Sequence, residues 1–215
     1  KDGSFPFAKI GATELGFFAQ DKWRLKNNFT LTYGVRVDAP IFKSQFETNP
    51  NVPALTFRDG MHYDVGQKPG TNILFSPRAG FNWDVFNNQK TQIRGGMGEF
   101  SGPPPFVYIR NQASNNGVQF GSFSRTINPD TNLPYIFSSD INTYRPAAGA
   151  PNTSYNLVFT DKNFKYPQVL KTSLAVDQKL PGNIIGTAEF VYNKEVNAIN
   201  FENVNLPATG TAFVG

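Results

Sequence analysis

Along three paired stretches of this chain, apolar and polar residues alternate with a period of two. Only an extended backbone sends successive side chains to opposite faces, so these stretches read as β-strands. From Ala12 to Leu25 one set runs Thr13, Leu15, Phe17, Ala19, Asp21, Trp23, Leu25, and the other Ala12, Glu14, Gly16, Phe18, Gln20, Lys22, Arg24. Asn27-Asn28 makes a short turn. Phe29, Leu31, Tyr33, Val35 and Val37 then oppose Thr30, Thr32, Gly34, Arg36 and Asp38, which completes a hairpin.

The pattern recurs twice. Phe75, Pro77, Ala79, Phe81, Trp83 and Val85 oppose Ser76, Arg78, Gly80, Asn82 and Asp84, and 86–90 leads into Thr91–Phe100, whose polar or small face is Gln92, Arg94, Gly96 and Gly98. In the third pair Leu170, Thr172, Leu174, Val176 and Leu180 oppose Lys171, Ser173, Asp177 and Lys179; Pro181-Gly182-Asn183 turns the chain, and Ile184–Asn193 returns it. The hairpins span about 12–38, 74–100 and 168–193. Residues 39–74 and 101–167 between them lack sustained periodicity and are rich in Pro, Asn, Ser and Gly.

Short turns alternating with long irregular loops are rare in compact soluble domains and normal in outer-membrane barrels, whose turns are periplasmic and whose loops are extracellular. No run approaches the ~18 apolar residues of a membrane-spanning helix, but a tilted spanning strand needs only about 9–11 residues. The expected fold is therefore all-β: about six strands of an antiparallel up-and-down transmembrane β-barrel, the apolar stripe outward and the polar stripe inward. Turns near 27, 87 and 182 are expected to be periplasmic, and loops 39–74 and 101–167 extracellular. The rival is a secreted or surface β-sandwich that binds glycan or protein, with the same apolar faces buried inside; a passive porin is a third option.

Aromatic content supports the first reading. The chain has 21 Phe, 8 Tyr and 2 Trp in 215 residues, so Phe dominates the apolar set where Leu, Ile and Val usually do. Trp23 and Trp83, each a few residues before a short turn, are expected in the aromatic girdle near the periplasmic interface, and Tyr192, at the far end of its strand, in the outer girdle. Glu14, Arg24, Arg36, Arg78 and Arg94 are expected to face the lumen, the arginines alternating with Glu14, Asp38 and Asp84 as a wall of paired charges. Asp21 on the apolar face, and Phe18, Ile185 and Val191 on the polar one, break the pattern; near an interface an outward Asp costs little, and a β-bulge before Trp23 would also re-aim it.

Six strands do not close a membrane barrel, since bacterial ones begin at eight, and an open edge in lipid leaves backbone groups unpaired at several kcal/mol each. The N-terminal Lys1-Asp2-Gly3-Ser4 is no signal peptide and Ala212-Phe213-Val214-Gly215 shows no stop. Residues 1–215 are thus expected to be an internal fragment whose partners include outer-membrane lipid and the remaining strands of the same protein.

The strands themselves carry a resemblance. Gly16-Phe17-Phe18-Ala19-Gln20-Asp21-Lys22-Trp23-Arg24-Leu25, followed by Leu31-Thr32-Tyr33-Gly34-Val35-Arg36, resembles the barrel of TonB-dependent outer-membrane receptors, in which a "QD-x-W" strand precedes an "L-x-YG-x-R" strand. Phe75-Ser76-Pro77-Arg78-Ala79-Gly80-Phe81 and Ile93-Arg94-Gly95-Gly96-Met97-Gly98 are similar to it too. Tyr166-Pro167-Gln168-Val169, leading into Asp177-Gln178-Lys179-Leu180-Pro181, looks most like the Oar-like branch, which carries a carboxypeptidase-regulatory-like domain. The resemblance covers most strands and little of 39–74. It implies an approximately 22-stranded barrel, a plug domain inside it, energised transport through a TonB complex, and the outer membrane of a Gram-negative bacterium. Neither plug nor TonB box is among these residues.

Catalytic signatures are missing from the sequence. With one His and no Cys there is no zinc constellation and no Ser-His or Cys-His dyad, so no enzyme activity and no cofactor are expected. His62, in Met61-His62-Tyr63-Asp64, is expected to be solvent-exposed. Arg94–Gly98 is Gly-rich but lacks the Lys and helix of a phosphate loop, and reads as close backbone packing. A net charge of +4 without a basic run argues against nucleic acid. Asn28-Phe29-Thr30 and Asn152-Thr153-Ser154 match the glycosylation pattern at chance frequency. The segment after Ser101-Gly102-Pro103-Pro104-Pro105 offers the ligand-contact candidates Phe106, Tyr108, Arg110, Asn111 and Gln112; the alternative is a lid packed on the barrel rim. The transported ligand is not legible.

Overall fold

The computed structural model describes residues 8–118, 134, 136–140, 143 and 156–206. The ends Lys1–Ser4 and Ala212–Gly215, and the Asn152-Thr153-Ser154 triplet, lie outside the described residues.

Six strands form one antiparallel sheet in which each pairs with its neighbours in sequence. They are β1 (Ala12–Lys26), β2 (Phe29–Phe42), β3 (Leu74–Asp84), β4 (Thr91–Ser101), β5 (Gln168–Lys179) and β6 (Ile185–Asn197). The sheet is open, with β1 and β6 at its edges. This is the expected all-β antiparallel meander of a partial barrel. No described helix is long and apolar enough to cross a membrane.

The registers make the two-faced pattern continuous across all six strands. One row joins Trp23, Leu31, Phe81, Gly95, Leu174 and Phe190. An adjacent row on the opposite face joins Lys22, Thr32, Gly80, Gly96, Ser173 and Val191. The apolar face is open to its surroundings: Phe17 is 73% exposed, Leu15 46% and Leu174 49%. A sandwich would bury these side chains against a second sheet. Large apolar areas left uncovered in water cost about 25 cal/mol per Å², so this face is built for an apolar medium.

Prolines sit where the ladder tolerates a missing N–H. The β2–β3 pairing ends at Asp38–Leu74, so Pro40 pairs only with Glu14 of β1. The β3–β4 pairing starts at Arg78–Gly98, one residue beyond Pro77. Turns close the other end. In the β3–β4 turn Asp84 accepts hydrogen bonds from the backbone N–H of Asn88 (3.3 Å) and Gln89 (2.8 Å), which holds Asn87 and Gln89 at positive φ. Asp84 therefore organises a turn rather than pairing with an arginine. Gly182, at φ 78°, supplies the left-handed residue of the β5–β6 turn, and Leu180 already lies in that turn, outside β5.

Of the two accounts of Asp21, the bulge before Trp23 does not occur. The β1–β2 register shifts between Arg24 and Lys26, which leaves Asp21 on the apolar face directly opposite Tyr33. The Tyr33 hydroxyl donates to Asp21 Oδ2 at 3.1 Å, which gives the misplaced carboxylate a partner.

The long connections are not irregular throughout. A short helix, α1 (Val107–Ser114), lies within 101–167, and its Ile109 and Ala113 join Phe42, Phe46, Leu74 and Tyr166 in a small buried cluster. This cluster caps the loop end of the sheet and is held by polar ties. Asn72 Nδ2 donates to the carbonyls of Lys162 (3.2 Å) and Phe164 (2.9 Å), and Lys68 Nζ donates to that of Phe42 (2.8 Å).

Candidate functional site

Two regions gather the polar side chains: the polar sheet face and the cap at its loop end. On the sheet face Glu14, Arg24, Arg36, Arg78 and Arg94 share one side with Asp38, Asp177 and Glu189. Alternation alone dictates this placement, because one residue of slip would move every one of them to the apolar side.

Charges there fall into two clusters. Arg36 grips Asp38, with Nη2–Oδ1 at 2.7 Å and Nε donating to both carboxylate oxygens at 2.8 and 3.0 Å. Asp38 is only 2% exposed and also accepts from Ser101 Oγ at 3.0 Å. Arg94 forms the second cluster, with Nε 3.0 Å from Asp177 Oδ2 and Nη1 3.8 Å from Glu189 Oε1, while Thr187 Oγ1 donates to Asp177 Oδ1 at 2.7 Å. The expected acid partners were Glu14, Asp38 and Asp84; the structure supplies Asp38, Asp177 and Glu189. Asp177 could have been found from its polar-face position two residues before Lys179. Glu189 required the β5–β6 register.

Arg78 is different. Its Cζ lies 5.8 Å from the centroid of the Phe100 ring, and Lys171 Nζ lies 6.0 Å from the same ring. Among the described residues neither cation has a carboxylate within ion-pair distance, and neither has Arg24.

The ligand-contact candidates split at α1. Phe106 caps the helix and is exposed, as are Arg110 and Asn111. Tyr108 packs edge-on against Phe201 with centroids 4.9 Å apart. Gln112 is 0% exposed and donates from Nε2 to the carbonyls of Val65 and Gln67, so it is a strut between α1 and the 64–67 turn and presents nothing to an outside ligand. Its Oε1 has no partner among the described residues. Nearby, Phe57, Tyr63 and Phe159 form a triangle of rings, with Tyr63 stacked on Phe159 at 4.9 Å. His62 is exposed, and its Nδ1 lies 2.8 Å from the Leu55 carbonyl oxygen. At this end burial first, and then the Glu14 carboxylate, push the Tyr166 phenol above its ordinary value.

On the apolar face Trp23 and Trp83 lie near the turn end, opposite Leu31 and Phe29 respectively. Phe29 and Phe81 stack beside them with centroids 6.1 Å apart. Tyr192 is not at the far end of its strand: 193–197 continues β6 beyond it.

Family comparison agrees with this geometry. The model of one protein family, described as Outer membrane beta barrel domain, matches residues 2–214. The chain belongs to that family. It is an outer-membrane β-barrel protein, and the six-stranded sheet is part of its barrel. No curated protein and no solved structure matches it.

Proposed function

We propose that this outer-membrane β-barrel chain is part of a TonB-dependent transporter of a Gram-negative bacterium, of the Oar-like branch. In this reading the polar face lines the lumen and meets a plug domain of the full-length protein. The short turns are periplasmic, the capped loops are extracellular, and a TonB complex supplies the energy that moves a ligand across the membrane. The observation that carries it is a six-stranded sheet with one uncovered apolar face and an opposite polar face that carries ion pairs on β2 and across β4, β5 and β6. Only a wide barrel leaves room for a plug, and the paired Arg36–Asp38 and Arg94–Asp177 suit a filled lumen better than bulk water. The motif order around Gln20-Asp21-Lys22-Trp23 and Tyr33-Gly34-Val35-Arg36 supports the specific family.

The natural full-length protein in planar bilayers tests this reading. A plugged transporter stays electrically closed and retains the periplasmic domain of TonB on an affinity column. Steady ohmic conductance with no TonB retention is the behaviour of a passive porin and overturns the proposal. Orientation has its own check: protease added to intact cells is expected to cut within 39–74 or 101–167 and to spare the turns near 27, 87 and 182.

A further inference from the structure

We propose that the polar face carries a binding site for a small organic anion, with the acid group held by Arg78 and Lys171. The proposal rests on the inward orientation of that face. Arg78, Gly98 and Lys171 occupy one register row on three adjacent strands. Gly98 has no side chain, and the Phe100 ring folds back over it: a Cβ at position 98 would lie 3.1 Å from Phe100 Cε2 and 3.0 Å from Arg78 Cβ. The ring thus stands between the two cations and within cation–π distance of both. Its edge carries partial positive charge, so it adds to the attraction for an anion approaching in its plane.

The other interior arginines of this face, Arg36 and Arg94, are held by carboxylates. Arg78 and Lys171 have none among the described residues, which leaves two positive charges uncompensated in the middle of the sheet. Beside them lies a hollow of about 480 Å³. Gly80 and Gly96 form its floor, and Thr32, Ser173 and Val191 line it. That volume falls within the range of small-molecule sites. A carboxylate or phosphate can sit at the guanidinium and ammonium groups while the body of the solute lies over the glycine floor against Val191. Glu189 also lines the hollow but faces Arg94, which offsets its repulsion.

Inorganic phosphate tests the acid subsite in the natural full-length protein, by calorimetric titration in detergent at low ionic strength. The site predicts saturable binding that weakens at least tenfold in Arg78→Gln and in Lys171→Gln. Arg24→Gln, which removes a cation at the edge of the same face, is expected to stay within twofold. Absence of saturable binding to the unaltered protein overturns the proposal, as does equal weakening by Arg24→Gln, the mark of diffuse attraction. A Ser173→Cys variant keeps the two readings apart. Labelling by a charged maleimide upholds the inward orientation whatever phosphate does. Reaction with lipid-soluble maleimide alone refutes the orientation itself.

Discussion

Tyr33 and Asp21 face each other across β1 and β2 on the apolar side, with the phenolic oxygen 3.1 Å from Asp21 Oδ2. An outward carboxylate is tolerable only with such a donor or close to the headgroups, where the penalty for lipid-facing charge fades. Tyr33→Phe is therefore expected to lower the urea midpoint of the protein reconstituted in lipid vesicles. Asp21→Leu placed on top of Tyr33→Phe should recover most of that loss, because no unpaired carboxylate then remains. Additive losses would show that the pair does not act as a unit.

Asp38 is the most enclosed charge of the sheet. Asp38→Ala leaves Arg36 and Ser101 without their acceptor, and the loss is destabilising, moderated by the solvent around Arg36. The loss should appear as a lower melting temperature on heat-modifiability gels, and Arg36→Gln should cost less.

Much of this was legible in advance. Strand pairing, turn positions and the two faces all follow from the alternation in 12–38, 74–100 and 168–193, because a strand offers no other way to segregate side chains. Other features had no local signal. α1 is a single short helix whose N-cap, Phe106, makes no side-chain capping bond, so nothing in Phe106–Gln112 announces it. β2 continues through Pro40 to Phe42 because β3 has already left its side, which only the register reveals. Gln112 read as a polar contact because burial is set by the 64–67 turn, far away in sequence.

That strut makes its own prediction. Gln112→Leu removes the donor for the buried Val65 carbonyl and the half-buried Gln67 carbonyl, a loss of about 1–3 kcal/mol to the cap. Protease on intact cells should then cut within 64–67 faster than in the unaltered protein, while the strands stay protected. An unchanged cleavage rate would show that α1 does not hold this loop.

Tyr166 links the cap to pH. Burial and Glu14 favour its neutral phenol in the folded state, so its folded pKa lies above the unfolded value of 10.0. The resulting stabilisation is fully present below pH 10 and is lost as pH rises through the folded pKa. Amide exchange around Phe42 and Ile109 is expected to accelerate, beyond its intrinsic base catalysis, above about pH 10. Tyr166→Phe should remove that extra step; its persistence in the variant would assign it to another group.

Accessibility along β5 of the reconstituted full-length protein tests the central claim most directly. With a nitroxide placed singly from Leu170 to Asp177, oxygen dissolved in lipid should reach positions 170, 172, 174 and 176. A water-soluble nickel chelate should prefer 171, 173, 175 and 177, in a two-residue rhythm. The opposite phase, or no rhythm, would contradict a sheet that turns its apolar stripe to lipid.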